Sequence, residues 1–302
     1  MYMDDRLQKF AALVEAGSYT KAARNLHISQ PALSVAISKL EKLLKTRLIE
    51  SSGRQGLTLT EAGKLVYEAA LEHRATEHNL QLLLAGMSEE KVQLRIGMID
   101  SIATLLCSQE EPLKSLEQQT ELGLFVANSS SLRAAVLSDQ IDIAVVVANK
   151  DEDDKLKTAA VGTENLTLVC HASSAKAFQT MLDAGQKLPF IAYLQTSMTH
   201  RIVTSALERD GIGMTTILYS TSPDVMLQMV LRGRGVAVLP ENLVKRHIVS
   251  GELVQLKLAG KPYGVSRRLS VVAMKGRRMP PSLAGLAWAV AKQLKSYAVE
   301  RV

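Results

Sequence analysis

Up to about residue 86 the apolar positions recur every three or four residues, the helical period, with short polar breaks between runs. Leu7, Phe10, Ala11 and Val14 predict a first helix over 4–16, ended by Gly17. Ala22, Ala23 and Leu26 mark a second helix, whose small residues let a neighbour cross closely. After the break His27-Ile28-Ser29, Ser29 is a fitting N-cap. Pro31 falls in the first turn, where a missing N–H costs little. Leu33, Ile37, Leu40 and Leu44 then form an apolar stripe, with Gln30, Ser34, Ser38 and Lys39 on the other side. One side of that helix suits a core and the other suits hydrogen bonding. Glu50 to Gly56 is polar with two glycines, and Leu57-Thr58-Leu59 alternates, which predicts a small hairpin or wing. Thr60 is placed to cap a helix running to about Gly86, on the order of 25 residues or roughly 40 Å. Leu65, Val66, Ala69, Glu72/His73, Thr76, Leu80, Leu83 and Leu84 give it a narrow apolar seam, the pattern of a helix that pairs with its own copy.

From Glu89 the pattern changes. Strands are predicted at 92–99, 122–127 and 141–148, with helices over 103–118 and 132–138 between them. This alternation implies a parallel sheet covered by helices. The acidic run Asp151–Asp154 reads as a surface loop. A second unit begins near Thr163, with strands at 165–171, 190–193, 215–220 and 235–239 and helices at 198–209 and 224–232. Pro240 opens a further short helix, and Gly233-Arg234-Gly235 is a turn. Strand 268–274 returns the chain to the first unit, which a helix over 282–298 closes. Two similar α/β units joined by two crossovers leave a cleft between them.

Charge sharpens the picture of the N-terminal part. The 302-residue chain carries a formal net charge of +6. Residues 1–60 hold nine Lys/Arg against five Asp/Glu, so +4 of it sits with the helix-turn-helix. That is the footprint phosphate binding needs, and the second helix of such a pair can lie in a DNA major groove. Composition is otherwise that of an ordinary globular chain, 47% hydrophobic and 22% charged. No apolar run approaches the ~18 residues of a membrane span, and the charged start MYMDDRLQKF lacks a signal core, so a cytoplasmic protein is expected. Cys107 and Cys170 suggest no disulfide framework. His73 and His78, five apart, fall on different helix faces and make no metal site.

The motifs TKAARNL, SQPALS and LTEAG, followed by a long linker helix, resemble the LysR-type transcriptional regulators over about the first 65 residues. The phrase QMVLRGRGVAVLPENLV is similar to the second-lobe pattern of that family and extends the resemblance to essentially the whole chain. The resemblance implies an α+β multidomain protein. It has a winged helix-turn-helix at 1–61, a linker (dimerisation) helix at 62–88 and a two-lobed α/β effector domain at 89–302, similar to periplasmic binding proteins. Lobe I takes 89–162 and 267–302, and lobe II takes 163–266. Implied partners are double-stranded DNA, a small-molecule effector such as a carboxylate metabolite, and further copies of the chain as dimer or tetramer. RNA polymerase is a further candidate partner.

Candidate DNA contacts are Thr20, Ser29, Gln30, Pro31, Ser34, Val35, Ser38, Lys39, Arg54 and Thr60. Gln30 suits adenine N6/N7, and Val35 suits a thymine methyl. Arg54 at the wing tip reaches a minor groove or phosphate, or is a solvated turn residue. Family members often carry a basic residue after the PALS serine, where this chain has Val35 and Ala36. Ile49 and Ser51 replace the usual Phe and Arg. A modest direct code helped by DNA bending is expected.

In open α/β sheets ligands sit at the carboxyl ends of strands, beside helix starts. Four hydroxyl-rich segments fall there. They supply the candidate effector contacts Ser101, Ile102, Asn128, Ser129, Gln195, Thr196, Ser197, Met198, Thr221 and Ser222. Helix starts and hydroxyls suit a small anion, which Asp100 opposes if it points inward. The alternative for these segments is that they are only N-caps and turns. No catalytic, metal or cofactor motif is found: there is no G-x-S-x-G elbow, phosphate-cradling loop or Cys–His arrangement. The expected function is effector-modulated, sequence-specific transcriptional regulation. The alternatives are an effector-independent repressor with a vestigial cleft and, more remotely, an enzyme.

Overall fold

A computed structural model describes residues 2–53, 56–85, 92–108 and 120–275. The chain divides into two compact units, Met1–Ser88 and Glu89–Val302.

The first unit is built on three short helices, α1 (Tyr2–Ala16), α2 (Tyr19–Asn25) and α3 (Gln30–Leu44). A two-stranded hairpin, β1 (Ile49–Gly53) and β2 (Gly56–Leu59), and the long helix α4 (Glu61–Ala85) complete it. Phe10, Leu13, Ala22, Leu33, Ile37, Leu40 and Leu48 form its buried core. Gly17 ends α1 at φ +64°, a left-handed conformation that glycine adopts without penalty. His27 takes the left-handed position in the turn between α2 and α3, at φ 54°. There Ile28 N donates to Ala23 O at 3.0 Å. Glu41 Oε1 accepts from Leu48 N at 2.8 Å and so ties the end of α3 to the hairpin. Along α4, Arg74 pairs with Glu15 at 2.8 Å and Val66 and Tyr67 pack on the core. Of the expected seam, Leu65 and Leu80 stay 68% and 56% exposed. The side chains of Leu83 and Leu84 lie outside the described residues.

In the second unit β3 (Val92–Met98) lies between two parallel neighbours, β4 (Thr120–Val126) and β5 (Ile143–Val147). Helices α5 (Asp100–Cys107) and α6 (Ser129–Leu137) follow β3 and β4. The chain then enters β6 (Leu156–His171), and it returns along β13 (Gly264–Met274). Between them come α7 (Ala175–Asp183), β7 (Leu188–Tyr193), α8 (Met198–Arg209) and β8 (Met214–Ser220). Then follow α9 (Pro223–Leu231), β9 (Ala237–Pro240), α10 (Glu241–Val249) and the short strands β10 (Leu253–Gln255), β11 (Lys257–Leu258) and β12 (Lys261–Pro262). The strand order is β10-β6-β13-β5-β3-β4, with β9 also on β6 and β7 parallel to β8.

Several expectations are corrected here. The sheet of the first lobe is mixed, because β13 runs antiparallel to β5. The strand expected at 165–171 is the second half of one strand that starts at Leu156. Its first half, Lys157 to Ala160, is exposed and carries no alternation; pairing with β13 along the whole length holds it extended. The helix expected from 103 begins at Asp100 and ends at Cys107, and 109–119 lie outside the described residues. So does the helix expected over 282–298. Helix α7 and the strands β10 to β12 were not anticipated.

β6 and β13 thus form a ribbon shared by two lobes. One core gathers Leu94, Ile96, Met98, Ile102, Val145 and Leu269, and the other gathers Leu168, Phe190, Ile191, Val203, Leu227 and Val238. The register slips between Leu269, opposite Gly162, and Ser270, opposite Ala160, which leaves Val161 as an extra residue. Such a bulge bends a ribbon locally.

Candidate functional site

On α3, Leu33, Ile37 and Leu40 are buried in the core and Leu44 packs against it half-buried. Gln30, Pro31, Ser34, Val35, Ser38 and Lys39 are all exposed, with Val35 at 53%. Ser29 starts the helix, its hydroxyl accepting from Ala32 N at 3.3 Å. Thr20 is exposed in the first turn of α2. The Thr60 hydroxyl donates to Arg47 O at 2.7 Å and accepts from Gly63 N at 2.9 Å. Its proton is therefore spent inside the fold and not offered to a phosphate. Arg54 lies outside the described residues.

Between the lobes of the second unit lies a cleft of about 300 Å³. Lobe I lines it with Ser101, Asn128 and Ser129, and lobe II with Thr196, Ser197, Met198, Thr221 and Ser222. Four helices begin at it: α5, α6, α8 and α9. Several lining groups also cap. Asn128 Oδ1 accepts from Ser131 N at 2.9 Å, Ser197 Oγ from His200 N at 3.2 Å and Ser222 Oγ from Val225 N at 3.5 Å. Capping and lining are compatible, because a hydroxyl that accepts from a backbone N–H keeps its own proton to donate. Two expected members are not brought to the cleft. Ile102 is fully buried in the lobe I core. Gln195 turns outward, and its Nε2 donates to Tyr219 OH at 2.8 Å.

At the floor of the cleft stands Arg267, 4% exposed, directly opposite Glu164 in the β13–β6 ladder. Its Nε donates to Glu164 Oε2 at 2.7 Å, Nη1 to the Thr199 hydroxyl and Nη2 to Ser101 Oγ at 3.0 Å. Lobe I, lobe II and the ribbon are thereby joined through one guanidinium. Asn242 Nδ2 adds a second bridge, to Ser101 O at 3.1 Å. Tyr193, at the end of β7, also lines the cleft, and burial pushes its phenol well above the usual range.

Residues 5–64 match the family model for the bacterial regulatory helix-turn-helix protein of the lysR family, and residues 88–295 match the LysR substrate binding domain. The chain belongs to the LysR-type transcriptional regulators. It is 28% identical over 278 residues to the HTH-type transcriptional regulator EstR of Acinetobacter baylyi, covering 89% of this chain and 90% of that protein. To the regulator CbbR of Rhodospirillum rubrum it is 22% identical over 277 residues, with 91% of each covered. Among solved structures, ArgP of Mycobacterium tuberculosis superposes with a TM-score of 0.69 at 20% identity, covering 96% of each chain.

This LysR-type regulator accordingly combines a helix-turn-helix head with an effector domain whose cleft is the one described above. Among the described residues, no helix is long and apolar enough to cross a membrane. Arg267, Glu164, Thr199 and Tyr193 were missed in the sequence. A charge inside the apolar run of β13, and another near the start of the apolar part of β6, were the available signals. Only the register shows that they face one another. Cys170 is buried, with its thiol pushed up to about 11, and acts as a packing residue.

Proposed function

We propose that residues 1–61 read DNA through the outer face of α3, that 62–88 pair two chains, and that an effector held in the cleft of 89–302 adjusts the result without undergoing chemistry. In this proposal the chain works in the cytoplasm, where its DNA is. The observation that carries it is the division of labour on α3: every apolar stripe residue is packed, and Gln30, Ser34, Val35, Ser38 and Lys39 are left without packing duties. Gln30 offers a bidentate contact to adenine, Val35 an apolar contact to thymine and Lys39 a phosphate contact. Exposed Leu65 and Leu80 on α4 support self-pairing, since large apolar residues on a long helix are stabilised by a second copy. Thr196, Ser197, Ser222 and the helix starts around them support binding of a small polar ligand.

Two relatives of the same fold make the proposal concrete. A structure of Vibrio fischeri DarR is a complex with DNA, with a TM-score of 0.51 at 18% identity over 96% of this chain and 98% of that one. LysG of Corynebacterium glutamicum carries a bound effector Arg, with a TM-score of 0.64 at 17% identity over 97% of this chain and 98% of that one.

The test is selection of genomic fragments by the purified full-length protein at low and at high salt. Recovery of sites with imperfect dyad symmetry, held less tightly as salt rises, is the expected result. Retention that ignores sequence removes the assignment of base readout to α3. Absence of any retained DNA at low salt overturns the proposal.

A further inference from the structure

The charges around the cleft do not suit an acid. Arg267 is the one cation among the described residues that line it. All three of its nitrogens are engaged. Nε and Nη2 lie 2.7 and 2.6 Å from Glu164 Oε2. Nη2 also donates to Ser101 Oγ, and Nη1 donates to the Thr199 hydroxyl. Its charge is therefore met inside the protein, by a glutamate buried with it. A second guanidinium lies behind the lobe I wall of the cleft. Arg133 donates to Ser129 O at 3.3 Å and to Val147 O at 2.8 Å, both from lining residues, and its Nε donates to Glu152 Oε2 at 2.7 Å. That charge too is matched by a glutamate. Asp100 lines the cleft as well, and neither guanidinium is left over to meet it. Burial, more than any other cause, raises its carboxyl above the ordinary value, as expected of a charge taken partly out of water.

The polar groups beside Asp100 and Arg267 are uncharged donors. Ser101, Ser129 and Thr199 all line the cleft. Each side chain accepts a bond from within the protein: Ser101 and Thr199 from Arg267, and Ser129 from Val147 N at 3.0 Å. None of the three hydroxyls donates a bond among the described residues, so each keeps a proton for a ligand acceptor. An acid brought into this cleft loses its hydration, meets neutral donors and faces Asp100. Without a matching positive charge that desolvation is unfavourable.

We propose that the effector is a small polar molecule with no acidic group. It donates an N–H or O–H to Asp100 and accepts from the hydroxyls of Ser101, Ser129 and Thr199. Amines, amides and polyhydroxy compounds belong to this class; carboxylates, phosphates and amino acids do not. This rests on the cleft being the effector site. A volume of about 300 Å³ keeps the ligand small.

The experiment divides a small-molecule extract of bacterial cells on a strong anion exchanger at a pH above the range of amines. There ammonium groups are neutral, so acids and amino acids are both retained and non-acids pass through. The full-length protein is then melted with each fraction at neutral pH. The flow-through should raise the melting temperature, and the retained fraction should not. A cation exchanger at neutral pH next separates an amine, which is held, from an uncharged ligand, which is not. Asp100→Asn keeps the shape of the side chain. It should need about tenfold more of the flow-through for the same shift, the scale of one hydrogen bond to a charged group. Should that variant fail to fold, the comparison of fractions on the parent protein still decides. A shift from the retained fraction, or an Asp100→Asn protein that responds as the parent does, overturns the proposal and leaves the cleft an effector site. If the undivided extract gives no shift, the effector reading falls with it.

Discussion

Arg267 sits where two constraints meet. It is nearly buried, so its charge must be matched, and it is shared by three structural parts, so its geometry sets theirs. Replacing it leaves Glu164 charged and buried, and one Glu164 oxygen already lacks a partner among the described residues. Arg267→Met should therefore cost about 3–5 kcal/mol of stability in urea unfolding. Arg267→Met combined with Glu164→Gln should recover part of that, because no unmatched charge remains. Asp100 makes the opposite kind of prediction. Its folded pKa is raised, so the folded state binds the proton more tightly than the unfolded chain does. That stability is present at acid pH and is lost as pH rises through the raised value. Urea unfolding of the ligand-free protein at a series of pH values should show this loss, and Asp100→Asn should flatten it.

At the scale of elements, local chemistry and close approach do different work. Ser29 is a cap whose worth is local, so Ser29→Ala should lower head stability by about 1 kcal/mol, read by thermal melting. Gly63 shows what spacing along the chain does not reveal. A Cβ there would lie 2.0 Å from Leu48 O, because the start of α4 is seated against the residue before the hairpin. Gly63→Ala should cost about 1–3 kcal/mol and weaken DNA retention in proportion to the unfolded fraction. The cap and the α3 stripe were legible in the sequence because both are set by neighbours within one or two turns. The first half of β6 was not legible, because its exposed residues are held extended by a partner strand about a hundred positions away.

For the whole molecule, the two compact units predict two unfolding events, and binding in the cleft can stabilise only the unit that contains it. A ligand at about 100 times its Kd should raise the unfolding free energy of the effector domain by about 2.7 kcal/mol and leave the head transition in place. Scanning calorimetry with and without ligand checks this. A shift of both transitions would mean that the units unfold together.

The sequence by itself determined the order of parts and the segments that carry function. Helical period, caps and turn residues are short-range signals, and strand–helix alternation puts hydroxyl-rich segments at strand ends whatever the final packing. Tertiary structure alone decided which of those segments share a cleft. Ile102 lay in a promising segment and went to the core; Gln195 lay in another and turned to Tyr219. Arg267 lay in none and became the centre of the site, because its burial and its partner depend on a strand register spanning some hundred residues.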